Sequence, residues 1–153
     1  MSYCADDLVL FEPLLDPQRR EGSCYFELHP SELPRKHACW LPGSFFLRDA
    51  AFDFFAECFH KADEDFDYFA MQRLGQNEIY ALCKELAQFN AEVEAMPTRE
   101  VVFSRYASLF GKDVWSEIDA GVLADAISKS GRQLLDFITR NTKESKCLWV
   151  LGM

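Results

Sequence analysis

Three aspartates at alternate positions, Asp63, Asp65 and Asp67, form the closest approach to a metal-binding pattern in this chain. They match positions 1, 3 and 5 of an EF-hand calcium loop, where carboxylate oxygens bind the ion. Position 6 would then be Tyr68, where the loop requires Gly, and position 12 would be Leu74, where it requires a bidentate Glu. We therefore interpret the segment as a solvated acidic turn and not as a calcium site.

A zinc-binding set can be drawn from Cys24, His29, His37 and Cys39, but its spacing matches no standard zinc motif. His37 and Cys39 would also point to opposite sides of an extended segment. The six Cys residues are widely scattered without a CxxC pair, and the first residues carry no export signal. We therefore expect reduced thiols, no bound metal and no cofactor.

Nucleophilic chemistry finds little support in the sequence. Cys58 and His60 are two residues apart on a predicted helix, so their side chains do not face each other. The chain contains no GxSxG, Walker A, GxGxxG or HExxH motif. We expect that the protein is not an enzyme, and an enzyme with no recognisable motif stays open as an alternative.

Charge is the strongest functional signal in the sequence. The net charge at pH 7 is -9, and residues 49–94 contain eleven acidic and three basic residues, a net of -8. A field of this sign repels nucleic-acid phosphates and favours a basic protein partner. A plain solvated surface explains the same charge and stays open. The predicted partner-binding residues are Glu57, Asp63, Glu64, Asp65, Asp67, Tyr68, Glu85 and Glu92.

Length and composition predict a single domain over residues 1–153. Hydrophobic residues make up 49% of the chain and charged residues 27%, which is typical of globular proteins. No apolar run approaches the roughly 20 residues that a membrane-spanning helix needs. We expect a cytoplasmic protein that binds neither membranes nor nucleic acids.

Aromatic residues indicate where the core lies. Eight of the fourteen Phe residues fall between Phe45 and Phe69, and each buried ring removes a large apolar area from water. The apolar period of this run predicts a helix that begins after Arg48, with Asp49 as its N-cap, and ends before the acidic turn.

Further helices are predicted on both sides of Pro97. One begins at an Asn77 N-cap and presents an apolar stripe that also contains Asn90. We expect Asn90 to be hydrogen-bonded in the core, and a contact at the helix edge stays open as the alternative. Another is capped by Thr98 and continues through Leu109 and Phe110 to a C-terminal Gly111. Asp113 would cap a short turn that carries Trp115 and Ile118.

The last long helix is predicted over about residues 120–142, with Asp119 as N-cap. Gly131 is a weak point at its centre, because it costs about 1 kcal/mol relative to Ala, and its small size would allow another helix to approach closely. The two runs 8–11 and 24–28 are β-type and would pair as a hairpin, on which 147–151 would dock as a strand. The expected fold is α+β and mainly helical, with three or four helices packed on a small N-terminal β-hairpin or sheet.

The small, acidic, motif-free chain with a Phe-Asp-Tyr-Phe turn (Phe66–Phe69) before an amphipathic helix resembles bacterial immunity proteins. These are the cognate inhibitors made beside polymorphic or contact-dependent toxins. The resemblance implies binding and neutralisation of one toxin domain, often a basic nuclease, inside the producing cell. It transfers no role to any individual residue, so the partner-binding residues named above rest on charge alone.

A second function class fits the same surface. A non-catalytic adaptor or subunit would use the acidic residues for constitutive assembly with a protein partner. A toxin gene immediately upstream would favour the immunity interpretation over the adaptor, whereas a deep pocket with convergent polar groups would favour an enzyme.

Overall fold

Four short strands from distant parts of the chain form one antiparallel sheet in the computed structural model, which describes residues 2–107 and 111–152. The strands are β1 (Tyr25–His29), β2 (Phe45–Arg48), β3 (Met71–Leu74) and β4 (Leu148–Leu151). Their spatial order is β2-β1-β4-β3. The first and last strands are therefore neighbours, and the predicted strand near the C-terminus lies beside β1.

Helices account for most of the remaining structure, so the predicted fold class, α+β and mainly helical, is confirmed. The α-helices are α1 (Asp49–Phe52), α2 (Ala56–Ala62), α3 (Gln76–Ala95), α4 (Arg99–Val102) and α5 (Ala120–Asn141). The long helices α3 and α5 pack against each other, and α2 packs against α3. Among the described residues, 3-10 helices span Ala5–Phe11, Pro17–Arg19 and Lys112–Trp115.

The core lies between the helices and one face of the sheet. Side chains alternate along each strand, so Phe26 and Leu28 of β1 share a face with Val150 of β4, and all three are buried. Phe26 stacks on Phe52 of α1 with ring centroids 3.8 Å apart. Phe52 is also buried, so the Phe-rich run forms the centre of the core, as its composition predicts.

The opposite face of the sheet is covered by the loop of residues 30–44. Glu27 pairs with Phe46 on one side and Leu151 on the other, so the three residues share this outer face. Trp40 from the loop stacks on Phe46 at 5.4 Å between ring centroids. The loop backbone adopts positive φ at His37 and Trp40, 59° and 56°, a conformation that non-glycine residues seldom adopt without support from their surroundings.

The predicted N-terminal hairpin is wrong. Residues 8–11 belong to the 3-10 helix Ala5–Phe11, and β1 pairs instead with β2 and β4. Leu14, just beyond Pro13, makes an isolated antiparallel bridge to Phe46. The apolar run at 8–11 is equally suited to a helical turn, and Phe11 reaches the core from it.

The predicted helix after Arg48 is interrupted at residues 53–55, between α1 and α2. This turn lets adjacent rings point apart: Phe54 lies 5.4 Å from the Trp115 ring, and Phe55 lies 6.1 Å from the Phe89 ring. Asp49 is the first residue of α1 and not its N-cap. The next helix likewise begins at Gln76 instead of after Asn77, with Gly75 at its N-cap.

Two predicted N-caps, Thr98 of α4 and Asp119 of α5, are confirmed. Asp119 accepts hydrogen bonds from the backbone N–H groups of Gly121 and Val122, at 2.9 and 3.2 Å, and caps α5 as predicted. Thr98 caps α4 through the Val101 N–H, but that helix ends at Val102. The predicted continuation through Leu109 and Phe110 lies outside the described residues. Asp113 lies within the 3-10 helix Lys112–Trp115, whose N-cap is Gly111.

Candidate protein-binding surface

The acidic turn, residues 63–69, joins α2 to β3 and is held by side-chain bonds to its own backbone. Asp63 Oδ1 accepts from the Asp65 N–H at 3.0 Å, and Asp67 Oδ1 accepts from the Phe69 N–H at 2.9 Å. The Gln72 side chain accepts from the Asp67 N–H at 3.0 Å and donates to the Asp67 carbonyl at 2.7 Å. These bonds give the turn a defined shape although most of its residues are exposed.

Two adjacent aromatic residues of the acidic turn differ in burial, although their ring centroids lie only 5.1 Å apart. Tyr68 is half-buried, its ring lies 4.8 Å from that of Phe26, and its hydroxyl donates a hydrogen bond to Asp53. Burial, and next the bond to Asp53, raise the pKa of Tyr68 well above its usual range. Phe69 is 72% exposed. Tyr68 therefore attaches the turn to the core, whereas Phe69 presents its ring at the surface.

The acids at and before this turn carry uncompensated charge. Glu64, Asp65 and Asp67 are exposed, while Glu57 and Asp63 are partly buried. Within residues 2–107 and 111–152, none of the five forms an ion pair with a basic side chain. The exposed Phe69 ring thus lies in a strongly negative local field.

The remaining two predicted acids, Glu85 and Glu92 of α3, pair with a buried arginine, although their own side chains stay 23% and 41% exposed. The Arg105 guanidinium lies 3.7 Å from Glu85 and 3.2 Å from Glu92, and its side chain is only 7% exposed. It also lies over the Phe89 ring, 5.1 Å from the centroid. Because one buried cation lies between them, these two carboxylates contribute less outward field than the acidic turn does.

A buried polar network under the 30–44 loop was not expected from the sequence. Glu27 is 0% exposed, and its carboxylate accepts from the backbone N–H groups of Trp40 at 2.6 Å and Leu41 at 2.8 Å and from the Ser44 hydroxyl at 2.8 Å. A glutamate alternating with apolar residues in a strand normally indicates a solvated face. Nothing local in the sequence shows that a loop returns to cover it.

His29 extends this network. Its Nδ1 lies 2.8 Å from Ser44 Oγ, and its Nε2 lies 3.0 Å from Ser31 Oγ. Since the Ser44 hydroxyl donates to Glu27, it accepts from a protonated Nδ1, and Nε2 accepts from Ser31. Burial lowers the pKa of His29, and the charge of Glu27 opposes this effect. Ser44 is 1% exposed, and its hydroxyl donates a hydrogen bond to Glu27, so the network joins the loop to the sheet inside the protein.

The positions of the His, Cys, Asp and Glu side chains bear on metal coordination. Across the part of the chain that the structure describes, no group of three or more His, Cys, Asp or Glu residues is placed to hold a metal ion. Asp63 and Asp67 direct carboxylate oxygens to backbone N–H groups of their own turn. His29 is held by two serine hydroxyls under the loop.

Each helix within the described ranges is too short or too polar to cross a lipid bilayer. Comparison with known protein families, with curated proteins and with solved structures finds no match to this chain. The function is therefore inferred from the site itself.

Proposed function

We propose that this chain is a protein-binding inhibitor of the immunity type, which neutralises a cognate basic toxin domain, such as a nuclease, in the bacterial cytosol. It acts without catalysis or a cofactor. The observation that carries the proposal is the 72% exposed Phe69 ring in a turn whose four acids have no ion-pair partner in the described structure.

The acids supply steering. A concentrated negative field speeds the encounter with a basic surface and weakens with salt, because exposed charges are screened beyond about 8–10 Å at physiological ionic strength. The field also disfavours acidic partners and nucleic acid, which gives the surface selectivity at long range.

Phe69 supplies the short-range anchor. Binding energy in protein interfaces is concentrated in a few buried residues, and an aromatic ring entering a partner pocket is a frequent example. Two hydrogen bonds fix the backbone at Phe69 before binding: one from the Phe69 N–H to Asp67 and one from the Tyr68 hydroxyl to Asp53. Less conformational entropy is then lost when the complex forms.

The test measures how fast charge-reversed variants associate with the partner, which is first captured from the native organism and purified. The association rates are measured by surface-plasmon resonance at two salt concentrations. Glu64 and Asp65 are the positions to reverse, because Asp63 and Asp67 accept backbone hydrogen bonds that a lysine would break. We expect Glu64→Lys/Asp65→Lys to lower the association rate about tenfold and to weaken its salt dependence.

A matched control distinguishes the effect of charge in the acidic turn from the effect of the total charge of the chain on the association rate. Glu117→Lys/Glu144→Lys makes the same charge change at two exposed positions elsewhere and should leave the association rate much closer to that of the parent. Equal rates for both double variants would contradict steering by the acidic turn. Phe69→Ser should raise the dissociation rate, whereas Tyr80→Ser, at a 76% exposed ring on α3, should not.

Inhibition separates an immunity protein from an adaptor. Titrating the chain into an assay of the partner's activity should abolish that activity at one equivalent. If the partner binds through the acidic turn but keeps its full activity, an adaptor or subunit function replaces the inhibitor.

A further inference from the structure

A basic cleft of about 380 Å³ opens on the outer face of the sheet. Its walls come from the 32–37 segment of the loop and from β3 and β4. Leu33, Met71 and Trp149 supply apolar surface, and Arg35 and Lys36 supply positive charge. The cleft therefore combines an apolar lining with cations at its edge, the arrangement of many small-ligand sites.

The charge of this cleft is opposite to that of the chain as a whole. Arg35 and Lys36 are exposed and have no ion-pair partner among the described residues. Glu32 is the one acid of the lining, and it is paired with Arg73 at 2.7 Å. Two bases and one acid give the lining a net charge of +1 with His37 neutral, in a chain whose net charge is -9. An anion would be attracted here and repelled by most of the remaining surface.

The lining is held in place before any ligand arrives. The Glu32 carboxylate accepts from Arg73 Nε at 2.7 Å and from the Trp149 indole N–H at 3.2 Å, so one acid positions both side chains. The loop that carries Arg35 and Lys36 is tied to the sheet through the buried Glu27 carboxylate. Such pre-organisation reduces the entropy lost on binding.

We propose that this cleft binds a small anion that carries an aromatic ring, of the aryl carboxylate class. The ring contacts Met71, Leu33 and the Trp149 indole, and the carboxylate pairs with Arg35 and Lys36. A planar guanidinium matches a carboxylate through two parallel hydrogen bonds. A volume of about 380 Å³ accommodates a ligand of one or two rings, at the small end of the range for ligand pockets. The site is independent of the proposed inhibitor function.

The experiment titrates the intact protein with 1-naphthoate and follows the three tryptophan indole N–H resonances by two-dimensional NMR. Trp149→Phe identifies the Trp149 resonance, and Trp40 and Trp115 serve as internal references. We expect a saturable shift of the Trp149 resonance. Acetate, which has no ring, and 1-naphthylmethylamine, which has the same ring with a positive charge, should each bind at least about tenfold more weakly.

Removal of the two charges completes the test. Arg35→Gln/Lys36→Gln should weaken naphthoate binding about tenfold, while Lys84→Gln/Lys143→Gln, the same change at exposed positions elsewhere, should leave it unchanged. Dispersed spectra of both variants confirm that they fold. The proposal is overturned if naphthoate leaves Trp149 unshifted, if both double variants bind it equally, or if the amine binds as tightly as the acid.

Discussion

Gly131 of α5 lies against the side chain of Asn90 on α3 with no room for a methyl group between them. A Cβ atom built at position 131 would overlap Asn90 Oδ1 and would lie 3.0 Å from Phe55 Cε1. Asn90 is buried, and both polar atoms of its amide lack a hydrogen-bond partner within the described structure. The glycine is thus required by close packing of the two helices, and the expected hydrogen-bonded Asn90 is not observed.

Gly131→Ala should therefore destabilise the protein, contrary to its effect on helix propensity. Alanine gains about 1 kcal/mol as a helix former, but overpacking a tight contact costs about 1–3 kcal/mol. We expect a net loss of about 1 kcal/mol in urea unfolding. In an Asn90→Ala background the penalty should shrink, because the overlapping oxygen is gone. A Gly131→Ala variant as stable as the parent would show that α3 and α5 are not this close.

Glu27→Gln should loosen the 30–44 loop. The amide replaces one accepting oxygen by an NH2 group, which would face backbone N–H donors of Trp40 or Leu41. A buried donor left without an acceptor costs about 1–3 kcal/mol, and we expect a loss of that size in unfolding free energy. Trp40 fluorescence should change as well. Glu12→Gln, at an exposed position, is the control, and equal stability of the two variants would contradict the network.

His29 should make stability depend on pH in mildly acidic solution. Burial lowers the pKa of the folded-state imidazole below its ordinary value of 6.5. Below that value the unfolded chain binds a proton that the folded chain does not, so stability falls as the pH falls toward the folded-state pKa. Between about pH 7 and about pH 5, the unfolding free energy should depend less on pH in His29→Asn than in the parent. His37→Asn, at an exposed histidine, should keep the parent's slope, and a parental slope in His29→Asn would refute the assignment.

In the native protein, the rate at which each of the six thiols reacts with Ellman's reagent should follow its exposure. Burial raises the pKa of Cys58 to about 12, so little reactive thiolate exists there. Cys4 and Cys24 are exposed and should react first, while Cys58 and Cys147 react only after unfolding. Denatured protein should titrate six groups. Rapid labelling that survives in Cys4→Ser/Cys24→Ser but is lost in Cys58→Ser would place Cys58 at the surface.

Local features explain the predictions that were confirmed. The bounds of α5 follow from its helical periodicity. Its cap is equally local, because Asp119 accepts a hydrogen bond from the N–H of Gly121, only two residues away. The apolar end of the chain implied docking, and β4 lies between β1 and β3. Likewise, the acidic run could be identified from the sequence, because residues that are close along the chain cluster their charge in any fold.

Contacts between distant segments decided the rest. Residues 71–74 have no strand-like pattern, and β3 exists because β4, more than seventy residues later, pairs with it. Tyr68 and Phe69 are adjacent and alike, yet one donates to the buried Asp53 and the other is exposed. Glu27 is buried because the loop supplies its hydrogen-bond donors. Sequence determines propensity and charge over a few residues, whereas burial depends on which partners the fold brings together, because desolvation is compensated only where those partners meet.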